Sequence, residues 1–366
     1  MKIVFIGGQE MPGIGGAETY MMCLAQELYT QGHETTIICS GRKAHECTID
    51  NVKIIHKVCP KSNIIALPLL FLKSIGYIIR NRKNIDVVNY QSIFLAFLPG
   101  WIARLAHCKV CYTIHSLAED NPKHNAIMKF IMKLVAFISI WLCGKNIVTV
   151  SHSKALEIKE RYGKKCAVIP CGININDSAA ETDILERYGI KKGNYYLSIG
   201  RIDPIKNLDI LVKSFIKHNS NDKQLVIAGN YDTEYGRTLM ELAAGNKNII
   251  FTNIVMGADK TTLLKNSYAG CLVSSSEGMP IFLLESVIYS KPVIVTNIPA
   301  IREIIHKGLG YWCNVGDVDT LHSQMQILEK EYETAIGKAA KSKKYIEEMF
   351  IWDKVAKKYI EYLNLI

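Results

Sequence analysis

Short apolar runs recur along the chain, each followed by a turn and then by a longer stretch whose apolar positions fall three and four apart. The first run, Lys2–Ile6, reads as a strand, Gly7–Gly16 as a long glycine-rich loop and Ala17–Gln31 as an amphipathic helix. Gly32 and His33 end that helix, and Glu34–Cys39 is the next strand. A helix around Leu69–Arg82 precedes a strand at Asn84–Asn89, and Lys109–Ile114 and Asn146–Val150 follow. The same rhythm resumes with strands at Tyr195–Ile199, Gln224–Ala228, Asn248–Phe251, Gly270–Val273 and Pro292–Val295. Alternating strands and helices predict α/β architecture with parallel, doubly wound sheets. Turn residues cluster at Pro170–Ser178, so the pattern divides into two Rossmann-like domains, 1–172 and 173–345. A last segment, Ile346–Leu363, has helical period.

The length of 366 residues accommodates two domains. With 49% hydrophobic and 21% charged residues, the composition is that of a globular protein. The 11 cysteines are scattered without a small-domain framework, which favours reduced thiols and a cytoplasmic setting. Cys108 and Cys111 have C-x-x-C spacing but lie in an apolar run with no second pair, so buried cysteine is the better reading than zinc. Residues 1–8 read as a strand and glycine turn rather than a signal peptide.

Charge changes the picture once it is divided. Residues 1–175 hold 21 Lys and Arg against 11 Asp and Glu, whereas residues 176–366 hold 23 of each. The excess suits an anionic lipid or a phosphorylated substrate. Nucleic acid is disfavoured, because no binding motif accompanies the basic residues. Two apolar stretches lie in this basic half, Ile64–Ile79 and Ala126–Cys143. The second is just short of the roughly 20 residues a membrane span needs and contains Lys129 and Lys133. It reads as a buried or interface-packed helix, ahead of a helix lying on a membrane surface and of a true span.

Candidate chemistry gathers at the ends of strands. Glu277 follows the strand near Gly270–Val273, where open parallel sheets bind ligands. Gly278, Met279, Pro280 and Ile281 lead into a helix whose first N–H groups are available to ligand oxygens, although Pro280 lacks an N–H of its own. Glu285, two turns along, is a carboxylate able to accept from a vicinal diol. Arg201 and Lys206, five apart on a loop after Tyr195–Ile199, can clamp a diphosphate, one as a fork and one as a point charge. Gly15 and Gly16 open the first helix, where backbone amides approach an anion closely, and Glu18 complements the helix dipole. Glu18 stands where G-x-G-x-x-G needs its last glycine, which argues against a dinucleotide site. His115 ends the strand Lys109–Ile114.

In this order the motifs resemble those of the GT-B glycosyltransferases of family 4. Glu277 to Glu285 resembles the family's E-x7-E, Gly200–Asn207 its G-R-x-x-x-x-K-N, Gly15–Glu18 its G-G-x-E and Thr113–His115 its T-x-H. The stretch Pro170–Asn174 is similar to the interdomain P-N-G-I-D turn, with Cys171 in place of Asn, and Ser116 stands where Asp often follows the His.

The resemblance implies two Rossmann-like domains facing across a cleft, with a helix at about 346–366 packing back on the first. It implies transfer of a sugar from a nucleotide-sugar donor with retained anomeric configuration and with no metal or other cofactor. Glu277 would hold sugar hydroxyls, Glu285 the ribose, Arg201 and Lys206 the diphosphate, Gly15 and Gly16 the donor phosphates, and His115 would face the reacting sugar. The acceptor expected is a saccharide linked to a lipid diphosphate, as in cell-surface polysaccharide (lipopolysaccharide O-antigen or capsule) assembly. Docking on the inner face of the cell membrane would accompany it. A nucleotide-sugar 2-epimerase and a non-catalytic nucleotide-sugar binder are the alternatives on the same architecture.

Overall fold

The computed structural model describes residues 1–11, 13, 15–60, 63–117, 125–175, 180–219, 222–306 and 308–366. Ile14 of the glycine-rich loop and the 176–178 part of the turn-rich stretch lie outside the described residues. The chain divides into two compact units, Met1–Gly172 with Trp352–Ile366, and Ile173–Ile351.

The first unit is an eight-stranded sheet built from β1 (Lys2–Ile6), β2 (Glu34–Gly41), β3 (His45–Ile49), β4 (Val52–Val58), β5 (Val87–Tyr90), β6 (Lys109–Ile114), β7 (Ile147–Thr149) and β8 (Ala167–Val168). Its order is β3-β4-β2-β1-β5-β6-β7-β8, so the chain winds outward from β1 in both directions. Every pairing is parallel except β3 with β4. That hairpin departs from the strand-helix alternation expected from the sequence. Asp50 and Asn51, with φ of 46° and 65°, close it with the two positive φ values that match the twist of paired strands. The helix expected at Leu69–Arg82 begins earlier, at Asn63, and takes Pro68 into its interior at the loss of one backbone donor.

The second unit is a six-stranded, fully parallel sheet of β9 (Tyr195–Ile199), β10 (Gln224–Ala228), β11 (Ile249–Phe251), β12 (Ala269–Leu272), β13 (Val293–Thr296) and β14 (Tyr311–Cys313). Its order, β11-β10-β9-β12-β13-β14, reverses direction at β9. Buried aliphatic and aromatic residues such as Leu211, Phe215, Leu225 and Leu321 form its core with the flanking helices. Loops at the carboxyl ends beside such a reversal diverge and leave room for a ligand.

The single helix expected from 346 onward is two. Tyr332–Met349 belongs to the second unit and Trp352–Leu365 to the first. Between them Phe350 is buried, and its carbonyl accepts from Ile173 N at 2.7 Å. Trp352, 2% exposed, lies against Gly172, where a Cβ would fall 2.3 Å from its ring. Within the sheet of the first unit, Thr113 Oγ1 donates to Asn89 Oδ1 at 3.0 Å and Asn89 Nδ2 donates to Tyr359 Oη at 2.6 Å. This fully buried relay ties the helix to β5 and β6.

Candidate active site

In the second unit, the ends of β9 and β10 are drawn together. A Cβ on Gly229 would lie 2.1 Å from the Gly200 carbonyl oxygen, so no side chain fits there. The loop after Gly200 begins with Arg201 and turns through a short 3-10 helix, Pro204–Lys206, capped by Asp203 accepting from Ile205 N. Asn207 follows in the left-handed region (φ 49°), which Asn tolerates better than most residues, and its Nδ2 donates to the Val273 carbonyl at 3.0 Å. Ser275 N and Oγ both donate to the Ile205 carbonyl, at 2.9 and 3.1 Å. These bonds fasten the loop after β9 to the loop after β12.

Fastening brings Lys206 Nζ within 2.6 Å of Glu277 Oε1, the same oxygen that accepts from Ser274 Oγ at 2.6 Å. Ser274 is held in turn, since its carbonyl accepts from Thr296 Oγ1 at 2.6 Å. Arg201 and Lys206 line one recess together with Gly200, Ala228, Val273 and Ser274. Two cations and one carboxylate at the mouth of this recess leave a net positive charge that suits a phosphate group placed against it.

The helix Ile281–Ile288 starts beside it. Pro280 is its cap, and the Pro280 carbonyl accepts from Leu283 N at 3.1 Å. Met279 and Pro280 are buried, whereas Gly278 and Ile281 are half-buried. Of the four, Met279 and Pro280 therefore present little side chain to a ligand.

Glu285 does not line the recess with Arg201 and Lys206. Its Oε1 pairs with Lys260 Nζ at 2.5 Å, from the helix Gly257–Asn266. Oε2 is buried with no partner among the described residues. Burial pushes the Glu285 carboxyl up from its ordinary value, with Lys260 opposing. A buried carboxylate oxygen without a donor is costly, and a diol hydroxyl would satisfy it. Lys260 escaped the sequence reading because one lysine on a helix has no motif.

In the first unit, the side chain of Glu18 folds back over its own loop. Its Oε1 accepts from Gln9 N at 3.0 Å, and a Cβ on Gly15 would lie 2.1 Å from Oε2. The glycine at 15 thus makes room for Glu18, while a Cβ on Gly16 would meet nothing within 4 Å. Glu18 orders the loop, a task beyond the dipole role read from sequence.

His115 follows β6 and faces Gln91, which follows the adjacent strand β5. With the amide placed so that Oε1 faces the ring, His115 Nε2–H donates to Gln91 Oε1 at 2.9 Å, which leaves Nδ1 as an acceptor. Tyr20 meets the ring edge-on at 5.1 Å between centroids. Desolvation lowers the His115 pKa to about 4, so the ring is neutral at physiological pH. Thr113 of the same motif points elsewhere, into the buried relay with Asn89. Gln91 was not singled out in the sequence, since its partnership depends on strand order.

Asp317 and Asp319 have Asp-x-Asp spacing but serve structure. Asp317 Oδ1 accepts from Asp319 N and Thr320 N, both at 3.0 Å, to cap the helix Val318–Lys330, and Asp319 pairs with Lys217.

The helix Ala126–Cys143 is long and apolar enough to cross a membrane by length and composition. It is not a buried helix. Met132, Ala136, Ser139, Ile140 and Cys143 form its buried stripe, while Ile127, Phe130 and Trp141 are 72%, 69% and 52% exposed. Trp101 Nε1 and Arg104 donate to its last carbonyls, at Leu142 (3.0 Å) and Cys143 (2.7 Å).

Comparison with known proteins places the chain. Residues 180–348 match the family model for glycosyl transferases group 1, and residues 14–177 that for glycosyltransferase family 4. An uncharacterized glycosyltransferase of Methanocaldococcus jannaschii is 24% identical, covering 98% of this chain and 97% of its own. An Escherichia coli UDP-Gal:α-D-GlcNAc-diphosphoundecaprenol α-1,3-galactosyltransferase is 25% identical, covering 73% of this chain and 72% of its own. Among solved structures, Anabaena HepE in complex with UDP and glucose shares 16% identity over 100% of both chains, with a TM-score of 0.79.

Proposed function

On the premise that this chain belongs to the family 4 glycosyltransferases, with their GT-B fold and a nucleotide-sugar donor, we propose that it transfers the sugar with retention of configuration to a lipid-diphosphate-linked saccharide. One observation carries the donor half: Arg201 and Lys206 share a recess at the carboxyl ends of β9, β10 and β12, with Glu277 hydrogen-bonded to Lys206.

The donor's diphosphate occupies this recess, and the two cations stabilise the charge that grows on the leaving phosphate as its bond to the anomeric carbon breaks. No carboxylate in the site is assigned as a nucleophile, so we favour front-face displacement. The acceptor hydroxyl adds to the face the phosphate leaves, and its proton passes to a leaving phosphate oxygen. Glu277 holds sugar hydroxyls and Glu285 the ribose diol, which supplies the missing donor to Glu285 Oε2. Neutral His115 accepts from a substrate hydroxyl through Nδ1, and the open backbone at Gly16 approaches substrate phosphate. Arg201 and Lys206 take the part that a metal plays in other transferases, and transfer is expected without one.

The acceptor half rests on the surface of the first unit. The exposed apolar side of Ala126–Cys143 lies in a unit holding 24 Lys and Arg against 13 Asp and Glu. Apolar surface amid net positive charge suits an anionic membrane face, where a lipid-linked acceptor resides. The E. coli relative's name specifies a diphosphoundecaprenol acceptor, which supports this class. This reading implies a cytoplasmic protein held peripherally at the membrane and acting in surface polysaccharide assembly.

The test is thermal-shift screening with UDP-, GDP-, ADP- and dTDP-sugars, followed by transfer to undecaprenyl-diphosphate-linked saccharides with product anomer assigned by NMR. A stabilising donor and a retained anomer are expected. Epimerisation of labelled donor without acceptor would overturn the transfer, and an inverted product would overturn the displacement.

A further inference from the structure

The β3–β4 hairpin carries a cluster that sugar transfer does not use. His45 lies directly opposite His56 across the antiparallel ladder. Cys47, two residues along β3, faces the same side as His45. One nitrogen from each histidine and the Cys47 sulfur all lie within 4.8 Å of one another. His56 is 1% exposed, and its Nδ1 has no hydrogen-bond partner among the described residues. Its Nε2 lies 3.1 Å from the Met11 carbonyl oxygen and 3.3 Å from Met11 N, so without metal it either donates to the carbonyl or accepts from the N–H. His45 is exposed, and its Nδ1 lies 3.3 Å from the Lys43 carbonyl oxygen, which leaves Nε2 uncommitted to that contact.

We infer that His45, Cys47 and His56 bind a zinc-type divalent transition-metal ion, with a fourth position open to water. Two imidazoles and a thiolate are a zinc donor set of ordinary composition, softer than a magnesium or calcium site. Zinc–ligand lengths of 2.0–2.3 Å place tetrahedral donors roughly 3.3–3.8 Å apart, so no pair of donors within 4.8 Å has to close by more than about 1.5 Å on binding. The histidine rings now stack at 3.9 Å with 6° between planes. A metal in the plane of His56 is therefore reached by His45 only after its ring turns out of the stack, which its exposure permits.

The buried histidine supplies the strongest argument. With metal on Nδ1, Nε2 must carry the proton and donate to the Met11 carbonyl, the arrangement that commonly orients a metal-bound imidazole. A purely structural stack leaves Nδ1 buried and unsatisfied. Met11 belongs to the glycine-rich loop at Gly7–Gly16, so the ion would fix one anchor of that loop without touching the substrate.

The test uses the reduced, chelator-treated chain, titrated with zinc chloride calorimetrically and with cobalt(II) by absorption. One saturable equivalent of zinc and a thiolate-to-cobalt charge-transfer band are expected. Cys47→Ser should abolish the band. His45→Ala should weaken zinc on the order of 100-fold, at least matching the loss of a supporting partner. The metal-free unfolding temperature of His45→Ala should fall only slightly, because the exposed side chain gives up little beyond its stack on His56. Absence of one-equivalent binding by the parent, or undiminished zinc affinity in His45→Ala, would overturn the site. A band that persists in Cys47→Ser would move the metal to another cysteine and overturn it equally.

Discussion

Lys206 Nζ lies 2.6 Å from Glu277 Oε1, although the two residues occupy loops after different strands of the second unit. With side chains only 21% and 11% exposed, each is the other's main compensation for lost hydration. Lys206→Met and Glu277→Gln should each lower kcat/KM on the order of 10²–10³-fold. The double variant should lose much less than the product of the two, because contacting residues couple. Steady-state kinetics of the three variants check this, and strictly multiplicative losses would mean that the residues act independently.

Glu285 separates stability from binding. Burial raises its pKa, so the folded state holds its proton more tightly than the unfolded state does. Stability is then lost as pH rises from the ordinary carboxylate value through the raised one, and at neutral pH the ionised form is a burden. Glu285→Gln should raise the unfolding temperature of the ligand-free protein at pH 7 while weakening nucleotide-sugar binding. Calorimetry with and without donor would show both, and a lowered unfolding temperature would contradict the assignment.

His115 has the opposite linkage. The unfolded chain takes up its proton near pH 6.5, whereas the folded chain refuses it until about 4. Its contribution is complete above pH 6.5 and is lost as pH falls toward 4, a cost of roughly 2 kcal/mol between pH 7 and 5. Urea unfolding at both pH values should show this difference shrinking in His115→Asn. Turnover should show no inflection from His115 between pH 6 and 8, where its ring stays neutral.

Two adjacent glycines should behave differently. Gly15→Ala sets a Cβ against the Glu18 carboxylate, which must swing away and give up its bond from Gln9 N, so the unfolding temperature should fall modestly and the loop loosen. Gly16→Ala meets no protein atom and should leave the unfolding temperature unchanged. If substrate phosphate approaches that backbone, Gly16→Ala should still raise the donor KM. Thermal melts beside donor titrations distinguish the two effects.

The exposed helix should bind lipid through both apolar contact and charge. Flotation with anionic vesicles should recover the protein at low salt and lose it at high salt. Replacing Phe130 and Trp141 with serine should weaken recovery without altering the circular dichroism spectrum. Recovery indifferent to salt, or absent altogether, would remove the membrane from the proposed function.

Much of the architecture was legible because parallel strands between helices are almost wholly apolar, as in Tyr195–Ile199 and Gln224–Ala228. The β3–β4 hairpin was not. His45–Ile49 is an edge strand of mixed polarity, and such strands carry no continuous apolar run. The break at Phe350 was hidden because helical apolar period continues through it. Arg201, Lys206, Glu277 and Glu285 could be named from spacing along the chain. Lys260 and Gln91 could not, since helix packing brings one to Glu285 and strand order brings the other to His115. Spacing also could not reveal that Gly15 accommodates Glu18, because the side chain folds against the loop that precedes it.

The relay from Thr113 through Asn89 to Tyr359 has a consequence for synthesis. Its phenol leaves the ribosome nearly two hundred residues after Gly172, a delay on the order of ten to forty seconds at ordinary elongation rates. Until then the Asn89 amide has no phenolic acceptor, and the face awaiting Trp352–Leu365 stays wet. The second unit is contiguous and can close first, so the earlier half of the chain should be the later half to mature.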